Sequence, residues 1–144
     1  VLPTLLTSHA PLDLVIIMLG TNDMKPFICG HAFGAKQGMQ RLIDIVRGHD
    51  YPMGEPAPKV LIMSPPPACE TPDPDFAALF ESARIESAKL AALYASLAKE
   101  IGAVFFDAGS VAHTSPLDGV HLDAENTSSI GRGLAPVVRD MLEL

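Results

Sequence analysis

The segment DLVIIMLGTND, residues 13–23, decides the fold class. From Leu14 to Leu19 it holds no polar residue, and it stops at Gly20, Thr21, Asn22 and Asp23. A run of that length is too short to span a bilayer. It also lacks the polar alternation of a half-solvated strand, so it fits a strand buried on both faces of a sheet. Two further runs share the pattern. Val60–Met63 closes on Ser64 and Pro65–Pro67, and Val104–Phe106 closes on Asp107 and Gly109. Between them lie helical periodicities. From Phe76 the apolar positions Leu79, Phe80, Ala83, Leu90, Leu93, Tyr94, Leu97 and Ile101 predict one long helix, with Asp73 and Pro74 at its start and Gly102 as its stop. A second helix is expected over Gly34–Arg47, turning Met39, Leu42, Ile43 and Val46 inward and ending at Gly48. A third follows Asp123 and carries Ile130, Leu134, Val137, Val138 and Met141. Gly131, Gly133 and Pro136 predict a kink or an irregular start in it. Strand and helix alternate three times, which gives an α/β three-layer sandwich (α/β/α) with a parallel sheet.

Composition narrows the function classes. At 144 residues, 48% hydrophobic and 19% charged, the chain is built for one domain, residues 1–144, with a buried core. Its net charge of -7, with ten Lys and Arg scattered along the chain, argues against a nucleic-acid partner, which calls for a basic patch. No stretch reads as a secretory leader or a membrane span, so no membrane partner is expected. Cys29 and Cys69 form no CxxC pair, which argues against a disulfide framework or a zinc site and favours a reducing, cytoplasmic compartment. Gly48–Pro58 reads as a surface loop and Pro65–Pro74, with five prolines, as a stiff connection. The sheet starts almost at once on a central-looking strand, so an upstream segment is expected to precede it.

Two sites carry possible chemistry. In parallel α/β sheets ligands bind at the carboxyl ends of strands, where Gly20-Thr21-Asn22-Asp23 lies. Asn22 there can aim its amide at a developing oxyanion. Equally, Asn22 and Asp23 can cap their own turn. The second site is Asp118-Gly119-Val120-His121-Leu122-Asp123. His121 can act as a general base if a neighbour fixes its tautomer, and Asp118, three residues earlier across a glycine, can be that neighbour. The competing readings are a surface turn with Asp123 as an N-cap, or a metal site from Asp118, His121, Asp123 and His113. The metal reading is disfavoured because the spacing matches no common zinc motif. His9, His31 and His49 show no partner pattern.

Taken together, GTND after a buried strand and DGVHL before the last helix resemble the third and fifth sequence blocks of the SGNH (GDSL) hydrolases. DLVIIMLGTND, PAPKVLIMSPPP and FFDAGSV are similar to the small-ester group of that family, the bacterial aryl esterases and their acyltransferase relatives, and the likeness runs from about Leu2 to Leu142. The resemblance implies a flavodoxin-like sheet and a serine esterase or acyltransferase acting on small aryl or short-acyl esters through an acyl-enzyme. It implies Asn22 as an oxyanion donor, His121 as the general base and Asp118 as the acid that orients it. Lys25, Phe27, Phe76, Leu79 and Val120 match positions that border the small acyl pocket, although Phe76 and Leu79 at helical spacing also read as core. It further implies no metal or organic cofactor, and a homo-oligomer.

The family's first block, which carries the nucleophile, and its second block are absent. Ser64 runs straight into Pro65 without the turn a nucleophile needs, and Ser110 and Ser115 read as turn residues, so no nucleophile is expected in this chain. The N-terminal strand and nucleophile segment are therefore expected from an upstream part of the same protein, as longer chain or as a bound fragment. The alternative is a non-catalytic binding or assembly module with a degenerate SGNH fold.

Overall fold

A computed structural model describes residues Val1 to Leu144. The apolar runs form strands β1 (Leu14–Met18), β2 (Lys59–Ser64) and β3 (Val104–Asp107). All pair in parallel, in the order β1-β2-β3, with Ile16 opposite Leu61 and Ile62 opposite Phe105. The helices are α1 (Leu2–His9), α2 (Ala32–Arg47), α3 (Pro74–Leu79), α4 (Ala83–Ser87), α5 (Leu90–Ile101) and α6 (Ala124–Leu142). Alternation along β2 explains the layers. Val60 and Ile62 join the larger core with Met39, Ile43 and Val46 of α2 and Leu90, Tyr94 and Leu97 of α5. Leu61 and Met63 point the other way, onto Ile130 and Met141 of α6. The expected α/β/α sandwich with a parallel sheet is the fold observed. No helix is long and apolar enough to cross a membrane.

Four details differ from the sequence reading. Only β2 is buried on both faces; β1 and β3 are half-covered, and Ile16 and Val104 stay 38% and 36% exposed. They are the edges of a narrow sheet, and one side of it carries a single helix. The long helix predicted from Phe76 is three helices. Asp73 caps the first through the N–H groups of Asp75 and Phe76, and Gly102 ends the last, as expected. The breaks are held by contacts outside the helix: Ser82 Oγ donates to the Gly30 carbonyl, Glu86 accepts the Ala32 N–H, and Ser87 Oγ accepts the Ala68 N–H. Third, α6 runs unbroken from Ala124 to Leu142 through Gly131, Gly133 and Pro136, so the irregular start expected there is not seen. Pro136 and Arg132 both lie on its exposed side, which leaves the carbonyl that Pro136 cannot bond on the solvent side of the helix. Finally, α1 was not foreseen; it is short and anchored by one fully buried residue, Leu6.

Gly20 shows how tightly the end of β1 is built. Its φ is +129°, and a Cβ there would lie 2.6 Å from the Tyr94 hydroxyl, which donates to the Leu19 carbonyl at 3.0 Å. Gly20→Ala is therefore expected to combine backbone strain with a steric clash and to cost about 2 kcal/mol or more of stability. Urea unfolding of the variant checks this; a midpoint equal to that of the parent would show that the turn is slack.

Candidate active site

Past Gly20 the chain closes a tight turn, with Asp23 N–H on the Gly20 carbonyl and Met24 N–H on that of Thr21. The turn continues as a 3-10 helix over Asn22–Met24, pinned by the wholly buried Met24. Lys25 N–H closes it on the Asn22 carbonyl at 3.2 Å. Side chains three apart in such a helix eclipse one another, so Asn22 and Lys25 share a side. Neither Asn22 nor Asp23 caps local backbone with its side chain, and the Asn22 amide makes no hydrogen bond within the chain. Its two donors are free.

The second element is the loop between β3 and α6. Asp118 Oδ1 accepts the N–H groups of Val120 (3.0 Å) and His121 (2.9 Å), while Oδ2 meets His121 Nδ1 at 2.8 Å. Those bonds hold the Asp118 carboxyl well below its ordinary 3.8, at about 2; the His121 and Val120 backbone donors are the main causes and the imidazole adds to them. An ionised carboxylate only accepts, so His121 Nδ1 carries the proton of that bond, and Nε2 takes no part in it. The His121 side chain is 72% exposed, with its ring edge-on to Phe76 at 6.0 Å between centroids.

What holds that loop is the proline-rich segment after β2. Cys69 N–H donates to the Gly119 carbonyl at 2.9 Å, Thr71 Oγ1 to Leu117 at 3.0 Å and Thr114 Oγ1 back to Pro67 at 2.9 Å. Within the loop, Ser115 N–H meets the His121 carbonyl at 2.7 Å. Gly119 has φ +80°, and a Cβ there would fall 2.6 Å from the Cys69 carbonyl oxygen, so only glycine fits. Sequence reading found the stiff prolines and the Asp–His spacing but missed Cys69, Thr71 and Thr114. A hydroxyl that straps two distant loops leaves no local pattern.

One cleft of about 330 Å³ gathers Asn22, Lys25, Phe76, Leu79, Val120 and His121 at its walls. Phe80 completes the apolar side, stacked on Phe76 at 6.2 Å. Asp118 lines a second hollow of about 240 Å³ beyond Phe76 and Phe80. Phe27 is not brought in: it is 70% exposed and outside the cleft lining. The serines are occupied elsewhere. Ser64 is fully buried and donates to Asp107 Oδ1 at 2.9 Å, Ser110 bonds the Asp107 carbonyl, and Ser115 Oγ accepts Leu117 N–H. Thr21 supplies the one side-chain hydroxyl on the cleft wall, and no hydrogen bond joins it to His121. For a metal, no three His, Cys, Asp or Glu side chains converge; Asp123 caps α6 through Asn126 instead.

With that geometry in view, comparison with known proteins is informative. Residues 2–127 match the GDSL-like lipase/acylhydrolase family model. No curated protein matches the chain. Among solved structures, it is similar to a carbohydrate acetylesterase family member from Sinorhizobium meliloti, with 60% identity and a TM-score of 0.98 over 100% of this chain and 68% of that one. The M. smegmatis aryl esterase gives 42% identity and a TM-score of 0.91, over 97% of this chain and 66% of that one. A second carbohydrate acetylesterase from Sinorhizobium meliloti, Est24, gives 41% identity and 0.89, again over 97% and 66%. The chain thus spans about two thirds of the length of these relatives.

The depressed Asp118 value has a sign that can be checked. The folded carboxyl titrates at about 2 rather than 3.8, so its charge stabilises the fold above the ordinary value, and that stabilisation is lost as pH falls through about 2. Asp118→Asn keeps an oxygen that accepts the two N–H groups but removes the charge. Urea melts of both proteins across acid pH are expected to show the parent's advantage closing in that window. An advantage that widened on acidification would contradict the assignment.

Proposed function

The chain belongs to the GDSL-like lipase/acylhydrolase family of carboxylic ester hydrolases, and from that premise we propose that it forms the base-and-oxyanion part of a serine esterase. The observation that carries the reading is the 2.8 Å contact of Asp118 with His121 Nδ1, with His121 and the unbonded Asn22 amide on the walls of one cleft. In the proposed reaction a serine hydroxyl attacks the ester carbonyl while His121 Nε2 takes its proton. Asp118 holds the ring and stabilises the imidazolium. The carbonyl electrons move onto oxygen, where the Asn22 N–H donors meet the charge. When the carbonyl re-forms, the bond to the leaving alkoxide breaks and the imidazolium returns its proton to it. Water, or an alcohol in acyl transfer, then attacks the acyl-serine by the same route in reverse.

The nucleophilic serine is assigned to an upstream segment, so the domain is completed by chain beyond these residues. The uncovered edge of β1 supports that. Leu14, Ile16 and Met18 share the side of the sheet that α6 covers only in part, and the outer edge of β1 has no strand partner. Small esters fit the cleft's volume and its Phe76, Leu79 and Val120 walls, and the similar proteins named above are an aryl esterase and carbohydrate acetylesterases.

In the enzyme carrying the serine segment, His121→Ala is expected to lower kcat by several orders of magnitude, with Tm nearly unchanged because the ring lies at the cleft rim. Asn22→Ala is expected to be milder, about 10²–10³ in kcat. Kinetics with p-nitrophenyl acetate and thermal melts of both variants read this out. A His121→Ala enzyme that keeps most of its activity would refute the base assignment. Turnover by residues 1–144 alone, abolished by Thr21→Val or Ser64→Ala, would move the nucleophile into this chain.

A further inference from the structure

The cleft holds one feature that ester hydrolysis by itself does not call for, an unpaired cation. Of the five lysines, Lys36 pairs with Glu100 at 3.0 Å, Lys89 pairs with Glu86, Lys59 donates to the Met141 carbonyl, and Lys99 stands in solvent on α5. Lys25 is half-buried on the cleft wall, with Nζ 5.2 Å from the centre of the Phe80 ring and no oxygen acceptor. The ring face offsets part of the ammonium's lost hydration but accepts none of its three N–H bonds conventionally. No carboxylate lines this cleft: Asp118 borders the other hollow, with both oxygens committed to its own turn. Inside a chain of net charge -7, Lys25 is thus the one Lys, Arg, Asp or Glu side chain on the cleft wall.

The position of the charge is informative too. Lys25 follows Asn22 by one turn of the 3-10 helix and shares its side, so an ester whose carbonyl meets Asn22 has the ammonium beside it. No arginine lines the cleft, and phosphate sites gather several donors or a guanidinium fork, whereas a lone ammonium matches a single negative charge. We propose that Lys25 makes this site selective for small esters that carry a carboxylate, on the acyl side or on the leaving group. This rests on the ester-hydrolase reading of the cleft and specifies its substrate class.

Two pairs of esters test it in the intact, serine-bearing enzyme. On the acyl side, p-nitrophenyl hemisuccinate is compared with p-nitrophenyl isocaproate, in which an isopropyl group replaces the carboxylate. On the leaving-group side, p-acetoxybenzoate is compared with its methyl ester. The anionic member of at least one pair is expected to have a kcat/KM roughly tenfold or more above its neutral partner, mostly through KM. That ratio is expected to collapse in Lys25→Met, to survive in Lys25→Arg, and to shrink with added salt. Calorimetric binding of levulinate against its neutral analogue, methyl isoamyl ketone, reads the same cation without turnover. Hydrolysis of the neutral esters with no anionic preference in either pair, or with a preference that Lys25→Met retains, overturns the inference and leaves the hydrolase reading standing. No hydrolysis of any ester, but levulinate binding that needs Lys25, overturns the hydrolase reading and keeps the anion site. Levulinate and the ketone binding equally overturns the anion site whatever the kinetics give.

Discussion

Because all three strands run the same way, their carboxyl ends leave the sheet at one rim, and the cleft is made from the chain that starts there. β1 hands over to the Gly20 turn, β2 to the proline-rich segment and β3 to the loop that reaches α6. A parallel ladder thus brings together residues nearly a hundred positions apart, Asn22 and His121, at the price of long crossovers. The middle strand bears the constraint most heavily. β2 is buried from Val60 to Ser64, and its last side chain, Ser64, ties it to Asp107 at the end of β3. The two exits that must meet beside the cleft are bonded together before they leave the sheet.

Beyond the rim, the site divides into a stiff part and a soft part. Prolines at 65–67 limit how the segment after β2 can bend, and Cys69, Thr71 and Thr114 bind it to the loop holding Asp118 and His121. The helical stretch from Pro74 to Ile101, by contrast, is broken twice, and its first piece presents Phe76 and Leu79 to the cleft. Asp118 and His121 therefore rest on a braced loop, while the apolar wall rests on the short helix α3, followed by a helical piece that Ser82, Glu86 and Ser87 tie to other parts of the chain.

Much of this was legible in the residues. Apolar runs ending in turn-formers marked the strands, Asp73 and Asp123 marked helix starts, and the Asp118–His121 spacing marked a pair that meets at 2.8 Å. What was not legible depends on contacts between distant parts of the chain. Periodicity from Phe76 to Ile101 is continuous, so nothing local announces that Ser82 and Ser87 bond elsewhere. Pro136 and two glycines argue for an interruption that α6 does not show, because the exposed side of a packed helix tolerates a missing bond. Phe27 sits two residues past Lys25, yet the 3-10 turn that carries Asn22 and Lys25 to the cleft leaves it outside.

Asp118 and His121 also lie only three residues apart, and the carboxylate's other two bonds go to the same short stretch of backbone. Closing so small a loop costs little chain entropy compared with joining groups from opposite ends of a domain. Folding can therefore complete the Asp118–His121 pair early, with contacts of low sequence separation, while the approach of Asn22 waits for the slow parallel ladder. Such a pair is portable. A fold that encodes a carboxylate–imidazole couple within one turn can exchange, lengthen or lose its other loops over evolution without having to rediscover the couple itself.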